Sequence, residues 1–179
     1  MSQNHDPGGK RLFPLKTGVR GGAVISPCGR YRTLLWREWG EPDSPVSAVW
    51  VGLNPSTATG NVDDPTIRRE IDFTYRLGFR RYVKVNTMDY RSTDPKALRR
   101  AGVLPCSSGN LATIRREAAK AGIIVLSCGK LVRHLHPYLE SVVDALREDG
   151  HPLWALGLNR DGSPKHSLYV PASAVLIRV

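Results

Sequence analysis

Residues 47–69 read SAVWVGLNPSTATGNVDDPTIRR, and this stretch decides the fold. It opens with the apolar run Ala48–Val51, which does not alternate with polar residues and therefore predicts a strand buried on both faces. Gly52 ends the run, and the polar sequence NPST follows. Because Pro55 favours an extended conformation at Asn54, the strand delivers a carboxamide at its carboxyl end.

A helix is predicted to follow this polar loop. Asp64 stands where a helix N-cap belongs, and Pro65 suits the first helical position. The helix is expected to end at Gly78. In open α/β sheets, ligands bind just outside the carboxyl ends of the strands, so the loop between this strand and this helix is where we expect the chemistry.

Length and composition fit one ordinary globular domain. The chain has 179 residues, 41% hydrophobic and 23% charged, which is enough to bury a core. Residues 1–20 lack periodicity and predict a flexible basic segment before a single α/β domain at residues 21–179. No apolar run approaches the ~20 residues that span a bilayer, and the N-terminus has no signal-peptide core. We therefore expect a cytoplasmic protein that makes no membrane contact. We also expect it to be a monomer.

The charge balance points to a polyanionic partner. Lys and Arg number 26 against 16 Asp and Glu, which gives a net charge of +10. A basic protein of this size favours DNA as its partner, because neutralising phosphates releases counterions. The alternative is a basic surface that only keeps the protein soluble.

Strands and helices alternate along the rest of the chain. Further strands are predicted at Arg81–Asn86, Ile123–Leu126 and Leu153–Leu156, with helices between them, and a β-hairpin is predicted within residues 23–36. Alternation of this kind is typical of βαβ units with helices on both faces of the sheet. The sequence therefore predicts a three-layer α/β/α domain around a central four-stranded, mainly parallel sheet, with an N-terminal β-hairpin.

Polar residues follow each of the four strands, and the carboxyl ends of parallel strands meet at one edge of a sheet. Asn54 could orient a water there, and His166 could move a proton or donate to a developing negative charge. Asp63 and Asp64 could activate water or read a base edge. The alternatives are a hydrogen-bonded structural role for His166 and a plain helix cap for Asp64.

Several familiar motifs are missing from the sequence. It contains no P-loop, dinucleotide-binding, zincin or nucleophile-elbow motif. The three cysteines are far apart, and no Cys/His cluster has zinc spacing. A carboxylate metal site built from Asp63, Asp64 and Asp89 is conceivable, but nothing requires it. No metal and no organic cofactor is predicted.

Four motifs together resemble the DUF1643 family of small bacterial and phage proteins. They are GLNPSTA at residues 52–58, DDPTIRR at 63–69, YRSTDP at 90–95 and GSPKHSLYVP at 162–171. The resemblance extends over roughly residues 22–171. In one departure, the family pattern has His-Pro where this chain has His166-Ser167.

A more distant resemblance suggests an activity. VGLNPS at residues 51–56 is similar to the first motif of the uracil-DNA glycosylase superfamily, in the form carried by its mismatch-specific and thymine-DNA branches. IIVLSCG at 123–129 resembles the third strand of that superfamily, and KHS at 165–167 falls where it carries a His-Pro-Ser loop. In those enzymes the Asn positions the attacking water, and the His loop touches the phosphate backbone and the base carbonyl.

The resemblance implies a monofunctional DNA glycosylase that hydrolyses the N-glycosidic bond of a modified or mismatched base flipped out of DNA. Asn54 would hold the water, and His166 would stabilise the leaving base. Base contacts are expected from Asn86, Asp63 and Asp64, with Tyr90 stacking. Phosphate contacts are expected from Ser56, Thr57, Arg68, Arg91 and Lys165.

The biological setting would be base repair or attack on modified phage DNA. Two alternatives stay open at this point. One is an enzyme of DNA base hypermodification or nucleotide processing on the same fold. The other is a non-catalytic DNA-binding module.

Overall fold

The computed structural model describes residues 11–40, 46–100 and 102–179. In these ranges the strands are β1 Phe13–Pro14, β2 Val19–Ile25, β3 Arg32–Trp39, β4 Ser47–Gly52, β5 Val62–Asp63, β6 Arg81–Asn86, β7 Ala121–Leu126, β8 Leu153–Ala155 and β9 Ile177–Arg178. The α-helices are α1 Pro65–Arg76, α2 Asn110–Ala118 and α3 His136–Glu148. Short 3-10 helices lie at Pro95–Arg99, Arg133–Leu135 and Ser167–Tyr169.

A mixed seven-stranded sheet, in the order β2-β3-β6-β4-β7-β8-β9, forms the centre of the described structure. β6, β4, β7 and β8 pair in parallel, whereas β2, β3 and β9 join antiparallel. The mixed α/β class and the hairpin are confirmed. The sheet has seven strands and not the predicted four. The β2–β3 hairpin adds two strands at one edge, and β9, from the apolar tail, adds one at the other.

Strand β4 is buried along its whole length because helices lie on both faces of the sheet. On one face, Ile67 of α1 shares a core cluster with Trp50. On the other face, Ile114 of α2 and Leu146 of α3 share a cluster with Val49. Helices on both sides explain why the sequence of β4 is continuously apolar instead of alternating.

The start of α1 follows the predicted pattern. The Asp64 carboxylate accepts a hydrogen bond from the backbone N–H of Ile67 at 3.0 Å, and Pro65 is the first helical residue. Gly78, just beyond the helix, has φ +82°, a conformation that costs Gly little. The helix cap therefore fixes the far end of the loop that begins at Asn54.

The predicted N-terminal segment is described only in part, since residues 1–10 lie outside the described residues. Phe13–Pro14 pairs antiparallel with Val62–Asp63, and β2 begins at Val19. Across the described ranges, no helix has the length and apolar character needed to cross a membrane.

Candidate active site

A cavity of about 490 Å³ opens at the carboxyl ends of β4, β6, β7 and β8. This volume falls within the ~300–1,000 Å³ typical of small-molecule sites. The ends of these four strands, or the loops that follow them, each contribute to its lining, through Asn54, Asn86, Ser127 and His166. The strand ends therefore converge, as the sequence predicts.

Asn54 is half-buried at the end of β4, with its carboxamide orientation fixed. Its Nδ2 donates to the main-chain oxygen of Ser92 at 2.8 Å and to that of Pro55 at 3.1 Å. Both N–H groups of the amide are thereby used. The carboxamide oxygen remains to accept a hydrogen bond from a ligand or a water in the cavity.

His166 enters the cavity from the loop after β8. The backbone N–H of Leu168 donates to its Nδ1 at 3.2 Å, so the neutral ring carries its proton on Nε2. Gly129 lies against the ring with φ +75°, and a Cβ there would stand 3.1 Å from the His166 Cβ. Glycine thus supplies both the left-handed backbone and the space that His166 needs.

Asn86, at the end of β6, presents an unsatisfied carboxamide to the cavity. It is 1% exposed, and neither Oδ1 nor Nδ2 has a hydrogen-bond partner among the described residues. Asn110 donates to the main-chain oxygens of Asn86 and Thr87 at 3.0 and 3.1 Å, which fixes this strand end. An unpaired buried amide costs about 1–3 kcal/mol and marks a place where a ligand or water binds.

A buried carboxylate beneath the cavity was missed by the sequence reasoning. Glu70 of α1 is fully buried and accepts hydrogen bonds from Tyr82 Oη at 2.7 Å and Lys84 Nζ at 2.8 Å. It also accepts from Ser127 Oγ at 3.0 Å and Ser167 Oγ at 3.1 Å. One side chain therefore joins α1, β6 and the loops after β7 and β8.

A second buried charge, Arg32, was also missed. It lies in the cavity wall together with Asp64 and donates to the Ala58 oxygen at 2.8 Å. Burial lowers the pKa of Arg32 to about 10, while the nearby Asp64 carboxylate opposes this shift. Among the described residues that line the cavity, Asp64 is the only carboxylate, and it also caps α1.

The rim of the cavity is basic. Lys130 and Lys165 are exposed and lie in the loops after β7 and β8. Ser56 lines the cavity too, with a buried hydroxyl that lacks a partner in the described ranges. Tyr169, 84% exposed, lies with its ring centroid 5.4 Å from that of His166. Exposed cations at the rim are suited to phosphate contacts.

Asp63 lies away from the cavity, which corrects its predicted contact with a base. Its carboxylate pairs with Arg37 Nε and Arg68 Nε, both at 2.8 Å. Arg68 also lies over the ring of Phe13, 5.5 Å from its centroid. Asp63 and Arg68 therefore join β3, β5 and α1. Arg68 does not line the cavity, and its phosphate contact stays a prediction.

Three further predicted residues do not line the cavity. Thr57 and Arg91 are buried, and Arg91 donates to the Gly29 oxygen at 2.9 Å, so neither is placed to grip DNA at the surface. The ring of Tyr90 packs edge-on against Tyr31 at 5.6 Å instead of facing a base. The structure does not bring these three residues into the candidate site, and their contacts with DNA stay predictions.

Cys128 is the one cysteine in the cavity lining. Burial raises its pKa to about 12, so it is a protonated thiol at neutral pH and a poor nucleophile. Among the residues that the structure describes, no group of three or more His, Cys, Asp or Glu side chains is placed to hold a metal ion. Asp63 and Asp89 are each engaged elsewhere, Asp89 with the backbone N–H of Ser107 at 2.7 Å.

Comparison with known proteins gives one match. No curated protein and no solved structure matches the chain. The family model described as "Protein of unknown function (DUF1643)" matches residues 30–168, which include every residue that lines the cavity except Tyr169. This chain is therefore a member of the DUF1643 family.

Proposed function

We propose that this protein is a DNA glycosylase-like enzyme that hydrolyses the N-glycosidic bond of a modified or mismatched base flipped out of DNA. One observation carries the proposal. Asn54 and His166, from loops after different strands, line the same cavity as the unpartnered Asn86 amide. The parallel pairing of β6, β4, β7 and β8 supports a uracil-DNA glycosylase-like core.

Asn54 positions the attacking water in this proposal. Its Nδ2 is held by the oxygens of Ser92 and Pro55, so its Oδ1 accepts a hydrogen bond from the water and turns the water lone pair toward the anomeric carbon. The water oxygen bonds to that carbon as the bond to the base breaks. Asp64, in the cavity wall, takes the proton that the water loses.

His166 stabilises the leaving base. The electron pair of the broken bond moves onto the base, and negative charge builds on its carbonyl oxygen. The Nε2–H, set by the Leu168 hydrogen bond to Nδ1, donates to that oxygen. One well-placed donor of this kind is worth about 3–4 kcal/mol.

A cavity with a basic rim is what an enzyme that holds a flipped base needs, whereas a module that only binds DNA needs no cavity. Asn86 offers a donor and an acceptor to the edge of the base. Lys130 and Lys165 flank the opening and neutralise backbone phosphates. Flipping costs a few kcal/mol of unstacking, and this cost is smaller for a mismatched base.

A base-release assay tests the proposal. Duplex and single-stranded DNA carrying uracil, mismatched thymine, hydroxymethylcytosine or glucosylated hydroxymethylcytosine is incubated with the protein, treated with alkali and scored for strand breaks. We expect breaks with one of these bases. We expect Asn54→Ala and His166→Ala to abolish the breaks while DNA binding survives.

Two matched variants control for general damage. Asn61→Ala and His134→Ala change an exposed asparagine and an exposed histidine away from the cavity and should release base normally. Full activity of Asn54→Ala and His166→Ala would contradict the proposal. Tight, salt-dependent DNA binding without breaks would favour a binding module, and a base of altered mass that stays attached would favour hypermodification.

A further inference from the structure

The loop after β6 carries a group of exposed cations that the proposed reaction does not use. Its 3-10 helix, Pro95–Arg99, is capped by Asp94, whose Oδ1 accepts a hydrogen bond from the backbone N–H of Lys96 at 2.9 Å. Lys96, Arg99 and the following Arg100 are exposed. A short, capped helix therefore holds three positive side chains at the surface.

The inner side of this 3-10 helix is anchored in the core. Ala97 and Leu98 are buried, and Leu98 shares a hydrophobic cluster with Cys128 and Leu131 of the loop after β7. Pro95, the first residue of the helix, lines the cavity. The cations on the outer side are thus fixed next to the opening of the cavity. A partner that binds them needs to order little of the backbone.

The 3-10 geometry places Lys96 and Arg99 on the same face of the helix. Side chains three residues apart eclipse each other in a 3-10 helix, and they are separated by about 6 Å along the axis, because each residue rises ~2.0 Å. Phosphates of one DNA strand follow each other every ~3.4 Å along the duplex axis. The two cations are therefore far enough apart to contact different phosphates of one strand.

These cations lack the carboxylate partners that exposed cations have elsewhere in the fold. Arg115, for example, forms an ion pair with Asp149. None of Lys96, Arg99 and Arg100 forms an ion pair within the part of the chain that the structure describes. Their charge is not compensated by a carboxylate contact, so it creates a positive potential beside the cavity opening.

We infer that Lys96 and Arg99 form a second phosphate-binding surface, on the opposite side of the cavity opening from Lys165. The inference rests on DNA being the substrate of the proposed reaction. β6 and β8 are the outer strands of the parallel group β6-β4-β7-β8, so the loops that follow them reach the cavity from opposite sides. A DNA strand held at both surfaces crosses the opening and presents the flipped nucleotide to it. Phosphate contacts of this kind fix the register of the DNA and do not select the base.

The salt dependence of DNA binding tests the inference. The probe is a fluorescently labelled duplex with one tetrahydrofuran abasic site, which has no base to release, and fluorescence anisotropy gives the affinity at several salt concentrations. The double variant Lys96→Ala with Arg99→Ala should reduce the slope of log K against log salt by about 1.8, since each phosphate contact contributes about 0.9.

A second double variant, Lys120→Ala with Arg147→Ala, is the matched control. It also removes one exposed lysine and one exposed arginine, but Lys120 lies next to the start of β4, and Arg147 lies in the last turn of α3. Its slope should equal that of the wild type. All four side chains are exposed, so both variants should fold, and circular dichroism checks this.

Both double variants lose two positive charges, so a difference between their slopes reports the location of the DNA and not the total charge. Equal slopes in the two variants, or a wild-type slope in Lys96→Ala with Arg99→Ala, would overturn the inference, and the glycosylase would stand if the wild type still releases a base. A reduced slope without base release from any substrate would refute the glycosylase and leave the phosphate-binding surface in place. A wild type that does not bind the duplex would refute both.

Discussion

Ser167 Oγ donates a hydrogen bond to Glu70 Oε1 at 3.1 Å. Ser167 directly follows His166, and its backbone N–H donates to Ser127 Oγ, which itself donates to Glu70. The loop that carries His166 is therefore attached to α1 through one buried carboxylate. The walls of the candidate site and the helix behind it form a single packed unit.

Removing this carboxylate should destabilise the whole domain. Glu70→Ala leaves Lys84 buried without its partner, and breaking a buried ion pair from one side costs about 3–5 kcal/mol. Urea unfolding followed by circular dichroism should show this loss. Glu140→Ala, at an exposed position of α3, serves as the control and should change stability by less than about 0.5 kcal/mol. Equal stability of the two variants would contradict the role given to Glu70.

Gly52→Ala should fill the cavity floor. Its Cβ would meet Lys84 Nζ at 2.6 Å and Asn86 Oδ1 at 2.9 Å, so both side chains must shift. We expect a loss of about 1–3 kcal/mol in stability and a fall of about a hundredfold in base release, since small misplacements carry large kinetic penalties. Gly109→Ala, where a Cβ meets nothing within 4 Å, is the matched control. Unchanged base release in Gly52→Ala would show that the floor does not contact the base.

Asp63 and Asp64 should behave differently although they are neighbours in sequence. Asp63→Ala leaves Arg37 buried without its carboxylate, which costs about 3–5 kcal/mol. Base release per folded molecule should stay normal, because Asp63 lies outside the cavity lining. Asp64→Asn keeps an N-cap oxygen but should lower base release. Base release by both variants is measured at a temperature below their unfolding transitions and is expressed per folded molecule. Reduced base release in Asp63→Ala together with normal base release in Asp64→Asn would contradict both assignments.

The two rim lysines should govern the salt dependence of DNA binding. Each of Lys130→Ala and Lys165→Ala should reduce the slope of log K against log salt by about 0.9, the value for one phosphate contact on duplex DNA. Lys120→Ala is the control, because Lys120 lies at the end of the sheet away from the cavity. There its main-chain oxygen accepts a hydrogen bond from the N–H of Ser47, the first residue of β4. Fluorescence anisotropy at several salt concentrations gives the slopes. Identical slopes for all three variants would place the DNA elsewhere.

The three thiols should differ in reactivity near pH 8. Cys28 is exposed, and its hydrogen bond with Ser26 lowers its pKa, which favours the reactive thiolate. Burial raises the pKa of Cys106 to about 11 and that of Cys128 to about 12, so both stay protonated at this pH. A disulfide reagent should therefore label only Cys28 rapidly in the native protein and all three cysteines after unfolding. Rapid labelling of a second thiol in the native state would contradict the burial of Cys106 or Cys128.

The strand ends and the cavity could be predicted because the signals are local. A continuous apolar run, a glycine and the Asn54-Pro55 pair fix one strand end within a few residues of sequence. Since parallel strands end at one edge, Asn54, Asn86 and His166 could be placed in one cleft without coordinates. Strand β9 and the β1–β5 pair escaped prediction because their two-residue pairings depend on distant segments.

The ionic network could not be predicted because its partners are far apart in sequence. Glu70 pairs with residues up to 97 positions away, and Asp63 pairs with Arg37 across 26 positions. A weak signal was present, since Glu70 lies three residues from both Ile67 and Phe73 on the apolar stripe of α1. A charged residue in such a stripe indicates a buried partner, but the sequence does not name it.

The Glu70 hydrogen bonds also set the order of events during synthesis. Ser127 and Ser167 lie 57 and 97 residues after Glu70. The Glu70 carboxylate can therefore gain these two hydrogen-bond partners only after most of the chain has been synthesised. Contacts of such wide separation close late in folding because the loops between them must first be confined. A nascent chain that still lacks the His166 loop has α1, β4 and β6 but no closed binding site. The candidate site would then close in one step near the end of translation, and not gradually as each strand is added.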